Sequence, residues 1–329
     1  MQVFINGFGR IGRSVLRAAL LGAAPEITIA GINDIAAAEM CAYLFQYDSV
    51  FGVWAGPVSL TAGALVVNGI SIPLFRTADI ASLDLRHIDV VLECTGRADG
   101  IEIASSGLRA GARRVLISGP SNAAEVTIVL GANEAELRDQ TIVSNASCTT
   151  NALAPLAKVL HTNWGIVTGT MTTIHCYTGS QPTTDAPAQK DGVPDFARSR
   201  AAALSMVPTT TSAQRLLDKV LPEIAGRLMG SAVRVPTASV SAVDLAVLCE
   251  TVPTPAQVNA VLSQVGGVIG ATNLPLVSSD LRARPESIVM ALPETRVTQG
   301  GLLRVFGWYD NEWGFSNRML DVARLMSAR

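Results

Sequence analysis

The chain has 329 residues, more than a single hydrophobic core usually supports, which predicts two domains. Hydrophobic residues make up 49% and charged residues 16%, a balance that excludes a disordered chain. A net charge of −2 with no basic block gives no electrostatic case for binding nucleic acid or an anionic membrane. No run of about 18 apolar residues is present, so we expect no membrane span.

The cysteines are few, odd in number and widely spaced: Cys41, Cys94, Cys148, Cys176 and Cys249. The absence of a CxxC pair argues against both a disulfide framework and a zinc site, so we expect no metal. A reducing, cytoplasmic compartment fits this usage. The N-terminal segment MQVFINGFGR runs from an apolar strand straight into a glycine motif, so we expect no cleaved signal peptide.

Short β-branched runs alternate with helical patterns through the first part of the chain. Strands are predicted at Val3–Ile5 and Ile27–Ile32 around a helix at Arg13–Leu21, and Asn68-Gly69 predicts a type I′ hairpin turn. Further strands are predicted at Asp89–Leu92, Arg114–Ile117, Val126–Leu130 and Thr141–Val143. Strands separated by helices indicate a parallel α/β sheet of the Rossmann type, over residues 1–147.

The pattern changes after Cys148. A helix is predicted at Asn151–His161, a strand at Gly169–Tyr177 and a loop from Thr178 to about Arg198. Long alternating or β-branched runs follow at Ser231–Glu250 and Leu302–Tyr309, and a helical pattern at Asn317–Met326. Residues 148–314 are therefore predicted to form an α+β domain with a mainly antiparallel sheet.

The segment INGFGRIGR contains Gly7-x-Gly9-x-x-Gly12 directly after a strand and at the start of a helix. This arrangement is typical of dinucleotide binding, because the glycines allow the backbone and the helix N-terminus to approach a pyrophosphate. Asp34 ends the second strand, 22 residues after Gly12, where a carboxylate binds ribose hydroxyls and repels a 2′-phosphate. The pattern predicts NAD; the alternative is a helix-capping or loop acid.

The segment SNASCTTN places Cys148 between a strand and a helix, near a helix N-terminus that can lower a thiol pKa from roughly 8.5. His175 follows 27 residues later on a strand, and an imidazole beside the thiol could form an ion pair with it and later move a proton. Spacing alone is equally compatible with a buried structural cysteine. By strand alternation Cys176 points away from His175, and we expect it to belong to the core with Cys41, Cys94 and Cys249.

Eight blocks occur in a fixed order along the chain: INGFGRIGR, IND, ECTGR, SNASCTTN, TIHCYTGSQ, RSRAAALSMVPTTT, AVRVPT and WYDNEWGFSNR. From Gln2 to the C-terminus the chain resembles phosphorylating glyceraldehyde-3-phosphate dehydrogenases. The resemblance implies Cys148 as nucleophile and His175 as base, with NAD as hydride acceptor and inorganic phosphate releasing the acyl group. It also implies a homotetramer in the cytoplasm, and a terminal helix, 315–329, that joins the first domain.

Further site residues are implied by the resemblance, position by position. The cofactor is expected to contact Gly7, Gly9, Arg10, Ile11, Gly12, Asp34, Thr95, Gly96, Ser118 and Asn311. Arg234 is expected to serve both phosphate groups and Thr178 the substrate's own phosphate, whereas the attacking phosphate is expected to meet Ser147, Thr149, Arg198, Thr211 and Ser212.

The chain departs from the family pattern at several positions. Ser180 stands where an acid is usual, Ser212 replaces a glycine, and the loop is longer around Asp191–Asp195. These changes leave two related activities open: oxidation of erythrose 4-phosphate, and the use of arsenate as acceptor. Ala152 replaces a second cysteine and Phe315 a tyrosine. A non-catalytic NAD-binding regulator is the alternative from another class.

Overall fold

The computed structural model of this protein describes residues 1–190 and 192–328. The chain forms two compact units, the first made of Met1–Ser147 with Phe315–Arg329 and the second of Cys148–Gly314. None of the helices in the described part of the chain combines the length and apolar character that a bilayer span requires.

The first unit contains nine strands and the helices between them. The elements are β1 (Gln2–Asn6), α1 (Arg10–Leu20), β2 (Thr28–Asn33), α2 (Ala38–Gln46), β3 (Val58–Thr61), β4 (Ala64–Val67), β5 (Ile70–Phe75), β6 (Val90–Glu93), α3 (Ile101–Ala104), α4 (Ser106–Arg109), β7 (Arg114–Ile117), β8 (Val126–Thr127) and β9 (Ile142–Ser144). One sheet runs in the order β3-β4-β5-β2-β1-β6-β7-β9-β8.

The strands at the centre of this sheet are parallel and buried on both faces, which confirms the predicted α/β class. Strand β1 pairs in parallel with β2 and β6, and all four residues of β6 are buried. Such continuous apolar runs are typical of a sheet covered by helices on both sides. The strand predicted at Val126–Leu130 is shorter than expected and ends at Thr127, and α2 and β3 were not predicted.

The predicted hairpin turn is confirmed between β4 and β5. Asn68 and Gly69 both have positive φ, 51° and 82°, as a type I′ turn requires. The flanking strands pair antiparallel, with Val67 opposite Ile70.

The second unit contains the remaining elements. They are α5 (Cys148–Trp164), β10 (Ile166–Cys176), β11 (Gln189–Lys190), β12 (Val193–Pro194), β13 (Val207–Thr209), α6 (Ala213–Val220), β14 (Leu228–Val235), β15 (Ser241–Cys249), α7 (Pro255–Gln264), β16 (Ile269–Thr272), β17 (Ile288–Ala291), β18 (Arg296–Val297), β19 (Leu302–Tyr309) and the start of α8 (Trp313–Ser327). The main sheet runs β13-β14-β10-β15-β19-β17-β16, with β18 beside β19.

This sheet is mainly antiparallel, as predicted, but its pair β10–β14 is parallel and determines which side chains meet at the site. The register sets His175 of β10 opposite Arg234 of β14. Strand β15 lies antiparallel on the other side of β10 and pairs with β19, where Ser241 faces Tyr309. The loop predicted from Thr178 contains the small ladder β11–β12, and Asp191 of its longer segment lies outside the described residues.

All three predicted helices begin earlier than expected, and α1 begins at Arg10 and ends at Leu20 where Arg13–Leu21 was predicted. Helix α5 begins at Cys148, three residues before the predicted Asn151, because the polar Cys-Thr-Thr turn already has helical backbone; it also accommodates Pro155. Helix α8 starts earlier than Asn317 as well, at Trp313. From Phe315 onward it belongs to the first unit, where Arg114 donates to the carbonyl of Met326.

Candidate active site

Cys148 and His175 lie side by side in the second unit, although 27 residues separate them in sequence. The Sγ atom of Cys148 is 3.6 Å from Nε2 of His175. Cys148 is the first residue of α5 and is only partly buried, whereas the His175 side chain is buried on β10. A thiol within hydrogen-bond reach of an imidazole is the arrangement required for general-base activation of a nucleophile.

Contacts of the other ring nitrogen determine the orientation of His175. Nδ1 lies 2.7 Å from the carbonyl oxygen of Cys176, which only accepts a hydrogen bond, and 2.8 Å from Nη1 of Arg234, which only donates one, so these two contacts require opposite tautomers of the ring. Nη1 also donates to the Cys176 carbonyl at 3.0 Å. In the tautomer with the proton on Nδ1, Nε2 presents its lone pair to the Cys148 thiol and can accept its proton.

The electrostatics of the pair differ from the expected ion pair. Burial raises the pKa of the Cys148 thiol, and it outweighs the Arg234 guanidinium and the hydrogen bonds from Thr149 and the backbone, which lower it. Burial, together with Arg234, lowers the pKa of His175 to about 4. Both shifts work against the ion pair that the sequence suggested, because burial favours the neutral form of each side chain.

The two arginines expected to bind phosphate surround the base. Arg234 contacts His175 as described, and Arg198 is close enough to add to the lowering of the pKa of His175. Arg198 is held in place through Nε, which donates to Thr209 Oγ1 at 2.9 Å, and through Asp195 at 3.6 Å. The site is therefore rich in positive charge, as anion binding requires.

The remaining predicted phosphate ligands have contacts of their own. Thr178 Oγ1 lies 3.0 Å from Ser180 Oγ, so the two hydroxyls form one polar pair. Thr211 accepts from the backbone N–H of Ala213, while Ser212 precedes α6 without capping it through its side chain. The roles of Ser147, Thr211 and Ser212 in phosphate binding stay predictions.

Tyr309 is a buried residue of the site for which no role was predicted, although it lies in the block WYDNEWGFSNR. Its hydroxyl lies 2.9 Å from Thr149 Oγ1 and 2.8 Å from Thr173 Oγ1. Its ring meets that of His175 edge-on, with centroids 6.0 Å apart. The sequence offered one signal for this residue: Tyr309 is a polar aromatic residue at the end of the predicted strand Leu302–Tyr309.

A separate cavity of about 700 Å³ lies in the first unit, at the carboxyl ends of its parallel strands. Four predicted cofactor residues line it, Gly7, Gly9, Asp34 and Thr95. Its wall also includes residues that were not predicted, among them Asn6, Asn33, Thr77, Asp79, Cys94, Arg97, Glu102 and Arg109. Crevices at this end of doubly wound sheets are where such folds bind ligands.

The three glycines of the motif differ in how much space surrounds them. A Cβ on Gly7, whose φ is 94°, would lie 2.7 Å from the backbone of Cys94, and a Cβ on Gly12 would lie 2.1 Å from the Gly7 carbonyl oxygen. Gly9 faces open space, with no atom within 4 Å of such a Cβ. The close packing at Gly7 and Gly12 and the open cradle at Gly9 fit a bound pyrophosphate.

Asp34 stands at the rim of this cavity with its carboxylate oriented by two backbone donors. Oδ2 accepts from Phe8 N at 2.6 Å and Oδ1 from Ala36 N at 2.9 Å. Because a carboxylate has about four acceptor positions, two remain for the ribose hydroxyls of NAD. The alternative of a simple loop acid accounts for these two bonds but not for the cavity beside it.

Other predicted cofactor residues lie outside the cavity wall. Arg10 forms a 2.5 Å ion pair with Asp48, and Ser118 N donates to the Glu93 carbonyl. Ile11, Gly12 and Gly96 are likewise absent from its lining. In the second unit, Asn311 Oδ1 accepts from Cys176 Sγ and Ser241 Oγ, which leaves its amide nitrogen as the donor.

The other four cysteines differ in burial. Cys41, Cys176 and Cys249 are buried, whereas Cys94 is partly exposed where it lines the cavity. Burial raises the pKa of Cys94 to about 12, which disfavours the reactive thiolate form. Within the described ranges no group of three His, Cys, Asp or Glu side chains is arranged to hold a metal ion.

Comparison with known proteins gives the family. Residues 1–100 match the family model described as glyceraldehyde 3-phosphate dehydrogenase, NAD binding domain, and residues 147–311 match its C-terminal domain. The chain is 44% identical to the glyceraldehyde-3-phosphate dehydrogenase of Xanthobacter flavus and 46% identical to that of Cereibacter sphaeroides, with 99% of this chain and 98% of each relative aligned. The Pseudomonas aeruginosa protein of the same name is 46% identical, over 100% of this chain and 98% of its own. The chain therefore belongs to the glyceraldehyde-3-phosphate dehydrogenase family of NAD-dependent oxidoreductases.

Proposed function

We propose that this enzyme oxidises glyceraldehyde 3-phosphate in the presence of NAD and inorganic phosphate to give 1,3-bisphosphoglycerate. The observation that carries the proposal is the 3.6 Å approach of Cys148 Sγ to Nε2 of His175. A thiol that transfers its proton to a neighbouring base as it attacks a carbonyl is suited to aldehyde chemistry.

The first chemical step forms a bond between sulfur and the aldehyde carbon. As Sγ attacks, its proton passes to Nε2 of His175, and the carbonyl oxygen becomes the oxyanion of a hemithioacetal. Cys148 is the first residue of α5, and the positive end of the helix dipole there would stabilise the negative charge of that oxyanion. The imidazolium formed on His175 then returns its proton to the oxygen.

Oxidation of the hemithioacetal gives a thioester on Cys148. Bound NAD would supply the hydride acceptor, held by Gly7, Gly9, Asp34 and Thr95 of the first unit. His175 removes the hydroxyl proton as the carbon loses hydride. Its low pKa keeps the imidazole unprotonated and ready for this transfer at neutral pH.

Release of the product requires attack by phosphate on the thioester carbon. A phosphate oxygen forms the new carbon–oxygen bond, the carbon–sulfur bond breaks, and Cys148 leaves as a thiolate that takes the proton from His175. Arg198 and Arg234 supply the positive charge that binds the two phosphate groups. Within the described contacts Arg234 binds His175 and Cys176 through Nη1, and we propose that its other N–H groups donate to phosphate.

We also propose a cytoplasmic homotetramer. Four apolar side chains on and after the Thr178–Arg198 loop are largely exposed: Val193, Phe196, Leu204 and Met206. Phe196 is 83% exposed, more than a monomer usually tolerates for a phenylalanine in such a group. A second copy of the chain would cover them, and sedimentation velocity at micromolar concentration tests the assembly, since a monomer would refute it.

One assay separates this function from its alternatives. NADH formation is followed with glyceraldehyde 3-phosphate, with erythrose 4-phosphate, and with phosphate, arsenate or no acceptor. Sustained turnover that requires phosphate and prefers glyceraldehyde 3-phosphate supports the proposal. Turnover of erythrose 4-phosphate independent of phosphate indicates hydrolytic release of a free acid, a preference for arsenate indicates that acceptor, and no turnover at all indicates the regulator.

A further inference from the structure

A row of buried polar side chains crosses the carboxyl ends of the central strands, at the cavity of the first unit. Asn6 ends β1, Asn33 ends β2 and Glu93 ends β6, and none of the three is more than 6% exposed. Both asparagines line the cavity, as do Thr77 and Thr95, whereas Glu93 is not part of the lining. Buried polar groups are costly unless donors meet acceptors, so the pairing within this row indicates what each group does.

The backbone of Thr77 fixes the direction of the hydrogen bonds in the row. Its N–H donates to Asn33 Oδ1 at 2.9 Å, and its carbonyl accepts from Asn33 Nδ2 at 3.0 Å. A backbone N–H and carbonyl cannot exchange roles, so Asn33 Nδ2 is also the donor to Asn6 Oδ1, at 2.8 Å. The Asn6 amide is thereby oriented as well, and its Nδ2 donates to Glu93 Oε2 at 2.5 Å. Position 93 must therefore accept on this side.

Glu93 meets donors on its other side too. Oε1 accepts from the backbone N–H of Thr95 at 2.9 Å and from the Thr95 hydroxyl. A carboxyl group accepts on both sides, whereas a glutamine of the same shape must turn its NH₂ group towards either Asn6 Nδ2 or the Thr95 N–H, which only donate. Burial raises the pKa of Glu93 while the hydrogen bonds from Thr95 and Asn6 lower it, so an acid here carries a cost in free energy that an amide avoids. Hydrogen bonding on both sides, and not size, therefore specifies the acid.

We propose that Glu93 is a positioning residue of the cofactor cavity, which holds the turn at Thr95 against the two asparagine amides. Strands β2, β1 and β6 lie side by side in the sheet, at the edge where such folds bind a dinucleotide. The turn at Thr95 also packs on the glycine motif, because a Cβ on Gly7 would lie 2.7 Å from Thr95 N. A turn displaced at Thr95 therefore changes the space beside Gly7, and NAD binds less tightly although Glu93 itself does not line the cavity.

The experiment exchanges the acid and the amide between positions 93 and 6, and titration calorimetry measures NAD affinity. In Glu93→Gln one buried donor loses its acceptor, so we expect the affinity to fall roughly tenfold. In Asn6→Asp two carboxyl groups face each other across the 2.5 Å contact, and a fall at least as large is expected. The double variant restores every pair, because the new amide donates to the new carboxylate, which still accepts from Asn33. We expect its affinity to lie within about threefold of wild type.

Hydrogen–deuterium exchange of the cofactor-free protein shows where the single variant gives way. Turning the one new amide towards Thr95 requires fewer changes than turning both asparagines. We therefore expect the peptide containing Thr95 to exchange faster in Glu93→Gln and to return to the wild-type rate in the double variant. Glu125→Gln is the matched control and leaves both measurements unchanged, since Glu125 also accepts from the N–H and hydroxyl of one threonine, Thr141, but lies outside the cavity lining.

Three results would overturn the proposal. They are an unchanged NAD affinity in Glu93→Gln, a loss of stability in that variant without a loss of affinity, and losses that multiply in the double variant. Should Glu93→Gln fail to fold, the double variant decides: recovery of folded protein that binds NAD supports the proposal, and no recovery overturns it. The measurements contain neither aldehyde nor phosphate, so their outcome is independent of the proposed reaction.

Discussion

Arg234 and His175 occupy paired positions on two parallel strands, and Nη1 of Arg234 lies 2.8 Å from Nδ1 of the imidazole. The arginine thus touches the base and also supports the carbonyl of Cys176 that orients it. One residue therefore links the orientation of the base to the phosphate binding that we propose for it.

Replacement of Arg234 by lysine retains the charge and loses the planar fork. A lysine ammonium can reach either the Cys176 carbonyl or a phosphate, but it does not hold both with fixed geometry. We expect Arg234→Lys to raise the KM for glyceraldehyde 3-phosphate and to lower kcat, with kcat/KM reduced roughly 100-fold. Steady-state kinetics measure this. An arginine outside the site, in Arg227→Lys, provides the control, and equal kinetics for both variants would contradict the role.

The low pKa of His175 predicts a specific dependence of stability on pH. The unfolded histidine has a pKa of about 6.5 and the folded one of about 4, so between these values the unfolded chain binds more protons and stability rises with pH. Protonation of His175 in the unfolded chain should therefore lower the free energy of unfolding by about 2 kcal/mol when the pH is lowered from 7 to 5. The free energy of unfolding of wild type, minus that of His175→Gln, is compared at both pH values. A difference that does not change with pH would mean that the imidazole is not buried in its neutral form.

Two glycines of the same motif are expected to respond in opposite ways to alanine. In Gly12→Ala the new methyl group would meet the Gly7 carbonyl at 2.1 Å, so we expect a loss of stability of about 1–3 kcal/mol. In Gly9→Ala the methyl group meets no protein atom, so the fold should be kept while the group obstructs the pyrophosphate. Thermal unfolding and NAD binding, measured on both variants, test this. Normal NAD binding by Gly9→Ala would place the pyrophosphate elsewhere.

Asp34 is expected to select NAD over NADP. In Asp34→Asn the amide oxygen can still accept a backbone hydrogen bond, but the repulsion of a 2′-phosphate is removed and the ribose bonds weaken. We expect NAD affinity to fall roughly tenfold and the preference over NADP to shrink by more than that. Titration calorimetry with both dinucleotides measures it, with Asp79→Asn on the same cavity as the matched control. Unchanged selectivity would show that the carboxylate does not face the ribose.

The sequence predicted the parts of the fold that depend on local pattern. The parallel sheet followed from buried β-branched runs such as β1 and β6, and the hairpin from the two positive φ angles that Asn68-Gly69 permits. Strand β3 and helix α2 were missed because their apolar residues are few or evenly spread, and half-buried short elements carry little periodic signal.

In the candidate site, too, local sequence pattern predicted some features, and features that depend on the whole fold were missed. Cys148 and His175 were found from motif and resemblance, but burial, a property of the whole fold, shifts both pKa values away from the ion pair that the sequence suggested. Arg234 was assigned by resemblance, and its contact with His175 arises from a parallel strand register that no local pattern specifies. Tyr309 was missed for a related reason, since its two threonine partners lie on elements far away in sequence.

The central claim is that the sulfur of Cys148 forms a covalent acyl intermediate with help from His175. The most direct measurement is intact-protein and peptide mass spectrometry of the enzyme mixed with glyceraldehyde 3-phosphate and NAD in the absence of phosphate. We predict one phosphoglyceroyl group per chain on Cys148, rapidly removed when phosphate is added, formed much more slowly in His175→Gln and not formed in Cys148→Ser. An acyl group on another residue, or sustained NADH formation by Cys148→Ser, would contradict the claim.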